Sequence, residues 1–344
     1  MLALLIVSAL HQLRAQAVSP FNKLEIKDTS AAYSFLVSGH FYGSSTNIST
    51  FPASTLLANL DTLNASKPAF IMSLGDLFQD VNETYIANYN LCLFSKLAAP
   101  LFNSVGDHDL SNGNMYSKVY GETFFSFAVR SELYIVLNTE LNDGSIKDGQ
   151  LEFFKNAVKQ ASSAGIKNVF IFSHRPIWAE RLEKYEKLFH GNTRTAFGKN
   201  NFTEDLQPLL KELSATKKIY WISGSMGGGP ASFFYDRNDE LNVTFMITSL
   251  RDLPRDAVLK VNVNKGNVLF GSIPLAGEKP GAIENYNIDY WNKIVPAEKK
   301  FNYRLLPYLT LQMIRHHYFW IGFAVGSIVL LMLVFARKRW KRNN

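Results

Sequence analysis

Three of the seven histidines in this 344-residue chain follow short apolar runs directly and stand beside other polar residues. Val37 leads into Ser38-Gly39-His40, Val105 into Gly106-Asp107-His108-Asp109, and Phe172 into Ser173-His174-Arg175-Pro176. Two further runs end alike: Leu74 leads into Gly75-Asp76-Leu77, and Ile222 into Ser223-Gly224-Ser225-Met226-Gly227. His11, His316 and His317 belong to the two ends of the chain, and only His190 stands apart. Imidazole and carboxylate together are the ligand mix that suits zinc, iron or manganese.

Such residues must be carried by elements that bring them together. The apolar runs alternate with longer stretches of helical period, which predicts strands and helices in turn. Strands are expected at Ser34–Val37, Phe70–Leu74, Leu101–Val105, Phe124–Val129, Leu133–Leu137, Val169–Phe172 and Ile219–Ile222. Helices are expected at Pro52–Leu63, Tyr85–Leu97, Gly149–Ser163 and Phe202–Leu213. Beyond Ala231 the pattern becomes strand-rich, with a hairpin turn at Asn264-Lys265-Gly266-Asn267. This order predicts an α/β sandwich of mixed sheets. In open α/β sheets the carboxyl ends of the strands form the ligand crevice, so the five polar clusters are placed to converge.

In order and residue type the clusters resemble the motifs of the calcineurin-like metallophosphoesterase superfamily: Asp-X-His, Gly-Asp, Gly-Asn-His-(Asp/Glu), a lone His after a strand, and Gly-His-X-His. Tyr134 to Glu140, Gln150-Leu151 and His174 to Trp178 also look like its middle third. The resemblance runs from about Ser34 to Ser272 and implies a four-layer αββα sandwich. It implies that His40 is a ligand of a first metal and that Asp76 bridges two metals. Asp107 and His174 would be ligands of the second metal. His108 would be the general acid, with Asp109 orienting it. The departures are Ser38 for the first Asp, Asp107 for the Asn, and Ser225 and Gly227 for the last two His. They fall mostly on the first metal, which is expected not to bind. The second keeps three protein ligands, a workable arrangement for one ion of manganese, iron or zinc. Arg175, beside His174, is a candidate to replace the missing cation at a phosphate, against an ordinary salt-bridged role.

The ends predict an address. Residues 1–17 read as a signal peptide, with an apolar run from Leu2 to Leu10 and Ala15-Gln16-Ala17 as its cleavage site. Residues 318–336 carry no charge and match a membrane span, with Tyr318 and Trp320 as interfacial aromatics. Five cations crowd the tail, residues 337–344. By the positive-inside rule the tail is cytoplasmic and the phosphoesterase-like domain, residues 18–274, lies outside the cytoplasm. Residues 275–317 read as an irregular wrap and stalk. The tail accounts for most of the net charge of +7, so the basic balance points to anionic lipid headgroups and not to nucleic acid. Cys92 is the single cysteine, which excludes an intrachain disulfide.

The expected function is a membrane-anchored phosphoesterase that uses one ion on a phosphomonoester or phosphodiester. The alternative is an inactive descendant kept as a binding or assembly module, motivated by Ser38, Ser225 and Gly227. A serine-hydrolase reading of Ser223 to Gly227 is weaker, because Ser223 stands where a nucleophile elbow needs its first Gly.

Overall fold

The computed structural model describes residues 17–27, 30–180, 182–189, 200–226, 229–294, 310, 314 and 317–343. The expected signal segment lies outside them except for Ala17, and Gly227 and His190 lie outside as well. The chain divides into two units, Met1–Ala297 and Glu298–Asn344.

Among its described residues the first unit holds eleven strands: β1 (Ala32–Ser38), β2 (Ile71–Ser73), β3 (Leu101–Asn103), β4 (Phe125–Val129), β5 (Glu132–Val136), β6 (Asn168–Ser173), β7 (Lys218–Ser223), β8 (Phe233–Asn238), β9 (Val243–Thr248), β10 (Ala257–Asn264) and β11 (Asn267–Pro274). They form one sheet ordered β11-β10-β1-β2-β3 and another ordered β4-β5-β6-β7-β9-β8. β1, β2 and β3 run parallel, as do β5, β6, β7 and β9. Each sheet therefore gathers several carboxyl ends on one side.

Alternation along the strands builds the layers, because successive side chains point to opposite faces. Phe35 and Val37 of β1, Tyr134 and Val136 of β5, and Phe170 and Phe172 of β6 meet in one core between the sheets. Their intervening neighbours face outward. Leu36 packs with Tyr85 and Tyr89 of α1 (Glu83–Cys92), and Leu133, Ile135, Val169 and Ile171 pack with Phe154 and Val158 of α2 (Asp148–Ala161) and Leu210 and Leu213 of α3 (Gln207–Ser214). Three separate cores thus lie between four layers, helix, sheet, sheet, helix. Each fully buried Phe or Leu contributes about 1.5–3 kcal/mol before entropy is counted.

Three expected helices are broken, and in the Tyr85–Leu97 stretch α1 ends at Cys92 before a separate 3-10 turn at Phe94–Lys96. The Pro52–Leu63 stretch forms short helices at Ser54–Leu57 and Leu60–Ala65. The Phe202–Leu213 stretch opens with a wider π-helical turn and becomes α at Gln207, where Pro208, which has no N–H to donate, sits in the first turn. Of the expected irregular wrap and stalk, residues 275–294 lie among the described ones. Leu275, Ile283 and Trp291 are buried, and Trp291 joins the core under the six-stranded sheet.

In the second unit α4 (His317–Asn343) is a single helix. Its 21 residues Phe319–Arg339 are long and apolar enough to cross a membrane. At ~1.5 Å per residue such a span is roughly the thickness of the hydrocarbon core.

Candidate metal centre

The parallel strands deliver their polar ends to one place. His40 follows β1, Asp76 follows β2, Asp107 and His108 follow β3, Glu140 follows β5 and His174 follows β6. The sheets are tied together here by direct bonds. His174 Nδ1 lies 2.8 Å from the Leu74 carbonyl, and Ser104 Oγ donates to the Leu137 carbonyl at 2.8 Å.

These ties fix the chemistry of His174. A carbonyl only accepts, so Nδ1 carries the proton and Nε2 keeps its lone pair. That nitrogen points at carboxylates, 3.6 Å from Asp76 Oδ1 and 3.8 Å from Asp107 Oδ1. Two ligands each at ~2.0–2.2 Å from one ion lie a little over 3 Å apart, so these separations suit a shared cation. Asp107, Glu140 and His174 offer ligand atoms within 4.8 Å of one another, and so do His40, Asp76 and His174. Glu140 was not among the residues expected as ligands. The signal was present in Asn138-Thr139-Glu140, directly after an apolar run ending at Leu137, like the other polar clusters.

Two candidate ligands hold unusual backbone. His40 has φ 56° and Asp76 has φ 53°, in the left-handed region that Asp, Asn and His enter more readily than other side chains. Burial, and then the charge of Asp107, push Asp76 up to about 7. Asp76 is 2% exposed, so a buried carboxylate of this kind is best accommodated by a cation.

His108 is held by Gln79, whose carbonyl lies 2.7 Å from its Nδ1. Burial alone would lower its pKa, but Asp76, Asp107 and the Gln79 carbonyl outweigh burial and raise it. The expected role of Asp109 as the residue that orients His108 is therefore corrected. The Asp109 carboxylate accepts from Phe78 N at 3.0 Å, Asn103 Nδ2 at 3.0 Å and Gly106 N at 2.9 Å. It is a buried clamp between the β2 and β3 loops. Positioning of the imidazole falls to Gln79.

Arg175 also differs from the expectation that it faces a phosphate. Its Nε and Nη2 donate to Glu180 Oε1 at 3.0 and 2.7 Å, and both residues are buried. This is the salt-bridged reading, with a carboxylate holding the fork. Removing one partner of a buried pair costs about 3–5 kcal/mol. Arg175→Met should therefore lower stability by about that amount in chemical denaturation while leaving the metal content of the folded fraction unchanged. A loss of metal without a loss of stability would contradict it.

Ser223, the serine of the weaker hydrolase reading, is a core hydroxyl. It accepts from Trp178 Nε1 at 3.2 Å and lies 2.9 Å from Ser173 Oγ. Ser38 is buried, its Oγ donating to the Gly39 carbonyl at 3.4 Å. The backbone N–H of Ser225 donates to the His174 carbonyl at 2.8 Å.

The cation that does reach this cluster is Arg251, just beyond β9. Its Nη2 lies 3.3 Å from His40 Nε2, and its side chain also bonds Tyr42. The Asp256 carboxylate accepts from Arg251 N at 3.0 and 3.1 Å and from Asp252 N at 2.7 Å, which fixes the loop that presents the guanidinium. A guanidinium only donates, so His40 Nε2 accepts and Nδ1 carries the proton. That Nδ1 stands 3.3 Å from Asp76 Oδ2, but off line, and makes no hydrogen bond. Burial, and then Arg251, keep His40 neutral.

No protein-family model matches the chain, and no curated protein matches it. Solved structures do. GAP50, the anchor in the inner membrane complex of Plasmodium, matches at 14% identity over 78% of this chain and 96% of that one, with a TM-score of 0.48. A dimetal phosphatase from Danio rerio matches at 10% identity over 73% of this chain and 98% of that one, also at 0.48. A predicted phosphoesterase from Streptococcus pneumoniae matches at 9% identity over 74% and 97%, at 0.33. The chain's own architecture is four layers, helix, sheet, sheet, helix, with the candidate ligands on loops at the strand ends.

Proposed function

We propose that this chain is a membrane-anchored phosphoesterase that works with one divalent ion. The observation that carries the reading is the convergence of Asp107, Glu140 and His174, with Asp76 3.6 Å from the same His174 nitrogen. These residues would hold manganese, iron or zinc, and the ion would supply Lewis-acid polarisation of a phosphoryl oxygen. His108 is placed to give the proton that the leaving oxygen needs, with Gln79 fixing its tautomer.

The anchor completes the reading. Arg337, Lys338, Arg339, Lys341 and Arg342 follow the apolar part of α4. The positive-inside rule then puts the tail in the cytoplasm beside anionic headgroups, and the catalytic unit on the other side.

The test uses the full chain in detergent, stripped by chelation and reloaded with manganese. Turnover of an aryl phosphodiester should appear with the metal. His108→Ala should lower kcat by about 10²–10⁴-fold at unchanged metal content. Metal binding without turnover of aryl mono- or diesters would sink the hydrolase and leave the alternative, a fold retained for binding or assembly.

A further inference from the structure

A second ion does not fit where the resemblance would put it. Of the residues on that side, Ser38 is a buried serine bonded to its own loop, and His40 turns its accepting nitrogen to Arg251. A nitrogen that accepts from a guanidinium has no lone pair left for a metal, and its partner nitrogen carries a proton. The guanidinium also brings a permanent positive charge to the place, and that charge repels a divalent ion.

We infer that Arg251 takes the place of the second cation, so that the centre consists of one exchangeable ion and one covalently fixed cation that grip a phosphate between them. This rests on the one-ion reading above. Charge balance agrees with it. With an ion bound, Asp76, Asp107 and Glu140 would carry three negative charges, which one divalent ion and one guanidinium would neutralise. A second ion would leave a surplus beside Arg251. Geometry agrees too. Arg251, Asp107, His108 and Glu140 are only partly buried, whereas His40, Asp76 and His174 are buried, so the guanidinium lies with the groups that an incoming anion can reach. Arginine's planar fork suits bidentate contact with phosphate oxygens, and its charge cannot be lost by deprotonation. Its backbone is held by Asp256, which Thr55 Oγ1 also bonds at 3.1 Å, so the cation is preorganised before any ligand arrives.

The experiment counts ions and weighs phosphate separately. The full chain in detergent is chelated, dialysed against excess manganese and analysed by mass spectrometry of the metal. Binding of inorganic phosphate to the loaded protein is then followed by titration calorimetry. We expect one manganese per chain in the wild type and in Arg251→Gln. Gln keeps hydrogen-bond donors for His40 and removes the charge. Phosphate affinity should fall about tenfold or more in Arg251→Gln and Arg251→Met, the loss of a charge-assisted hydrogen bond. If Arg251→Met fails to fold by circular dichroism, Arg251→Gln decides the matter. Two manganese ions per wild-type chain overturn the inference but leave the phosphoesterase reading intact. Unchanged phosphate affinity in Arg251→Gln, with one ion bound, does the same. No manganese in the wild type overturns the one-ion reading itself, and this inference with it.

Discussion

Asp76→Asn is expected to abolish metal loading without unfolding the protein. The effect should exceed the 10–100-fold loss typical of partners one step removed from an ion, giving about 100-fold or more in manganese affinity. Asn is the right probe because Asp76 sits at φ 53°. Asn tolerates this left-handed backbone, whereas Ala adds about 1–2 kcal/mol of strain that would blur the result. The amide oxygen can still accept from His108 N, which now donates to Asp76 Oδ1 at 3.2 Å. The metal-free variant should be at least as stable as the metal-free wild type, since it no longer buries a carboxylate that its surroundings disfavour. Thermal denaturation with and without manganese checks both signs. A metal-induced rise in Tm equal to that of the wild type would remove Asp76 from the ligand set.

Gly75→Ala should be strongly damaging for a single added methyl. Gly75 has φ +87°, and an added Cβ would stand 2.5 Å from His174 Nδ1, 2.6 Å from the Ser104 carbonyl oxygen and 2.7 Å from Gly106 N. Two of these three are backbone atoms with little room to move. Left-handed strain of ~1–2 kcal/mol and overpacking of ~1–3 kcal/mol together give about 3 kcal/mol of lost stability. For a domain of this size that is a fall in Tm on the order of 10 °C. Gly113→Ala supplies the control. Gly113 also has a left-handed φ, +59°, but nothing lies within 4 Å of its added Cβ. It should lose only the backbone part. Equal losses at both positions would mean that the close approach of the loops around Gly75 contributes nothing.

Much of this site was legible because ligand-bearing loops betray themselves locally. An apolar run that stops at Gly-Asp or Ser-His gives both the strand and the place where it delivers its chemistry. That is why His40, Asp76, Asp107, His108 and His174 stand out in the sequence. The roles of Asp109 and Arg175 were not legible, since each lies next to a site histidine in sequence but turns elsewhere. Asp109 serves backbone N–H groups and Arg175 serves Glu180. Arg251 was hidden for the opposite reason. It follows Thr248-Ser249-Leu250, a plain strand end with neither His nor Asp, and sits 211 residues from His40. Only the pairing of β9 beside β7, and the bridge between Gly39 and Ser249, bring it to the site. Broken helices were likewise beyond an apolar pattern, which marks a buried face without showing where the backbone must bend.

The candidate ligands do not come from one sheet. Asp76 and Asp107 hang from the five-stranded sheet, while Glu140 and His174 hang from the six-stranded one. An ion bound among them would therefore be a rivet across the sandwich. A half-made molecule, with one sheet formed and the other not yet docked, presents only part of the ligand set and would retain little metal. Ligation stabilises only the closed form, by about 2.7 kcal/mol when the free ion stands at 100 times its Kd. Retained metal is thus a certificate of correct assembly, and chelation should loosen the joint between the sheets before it loosens either sheet.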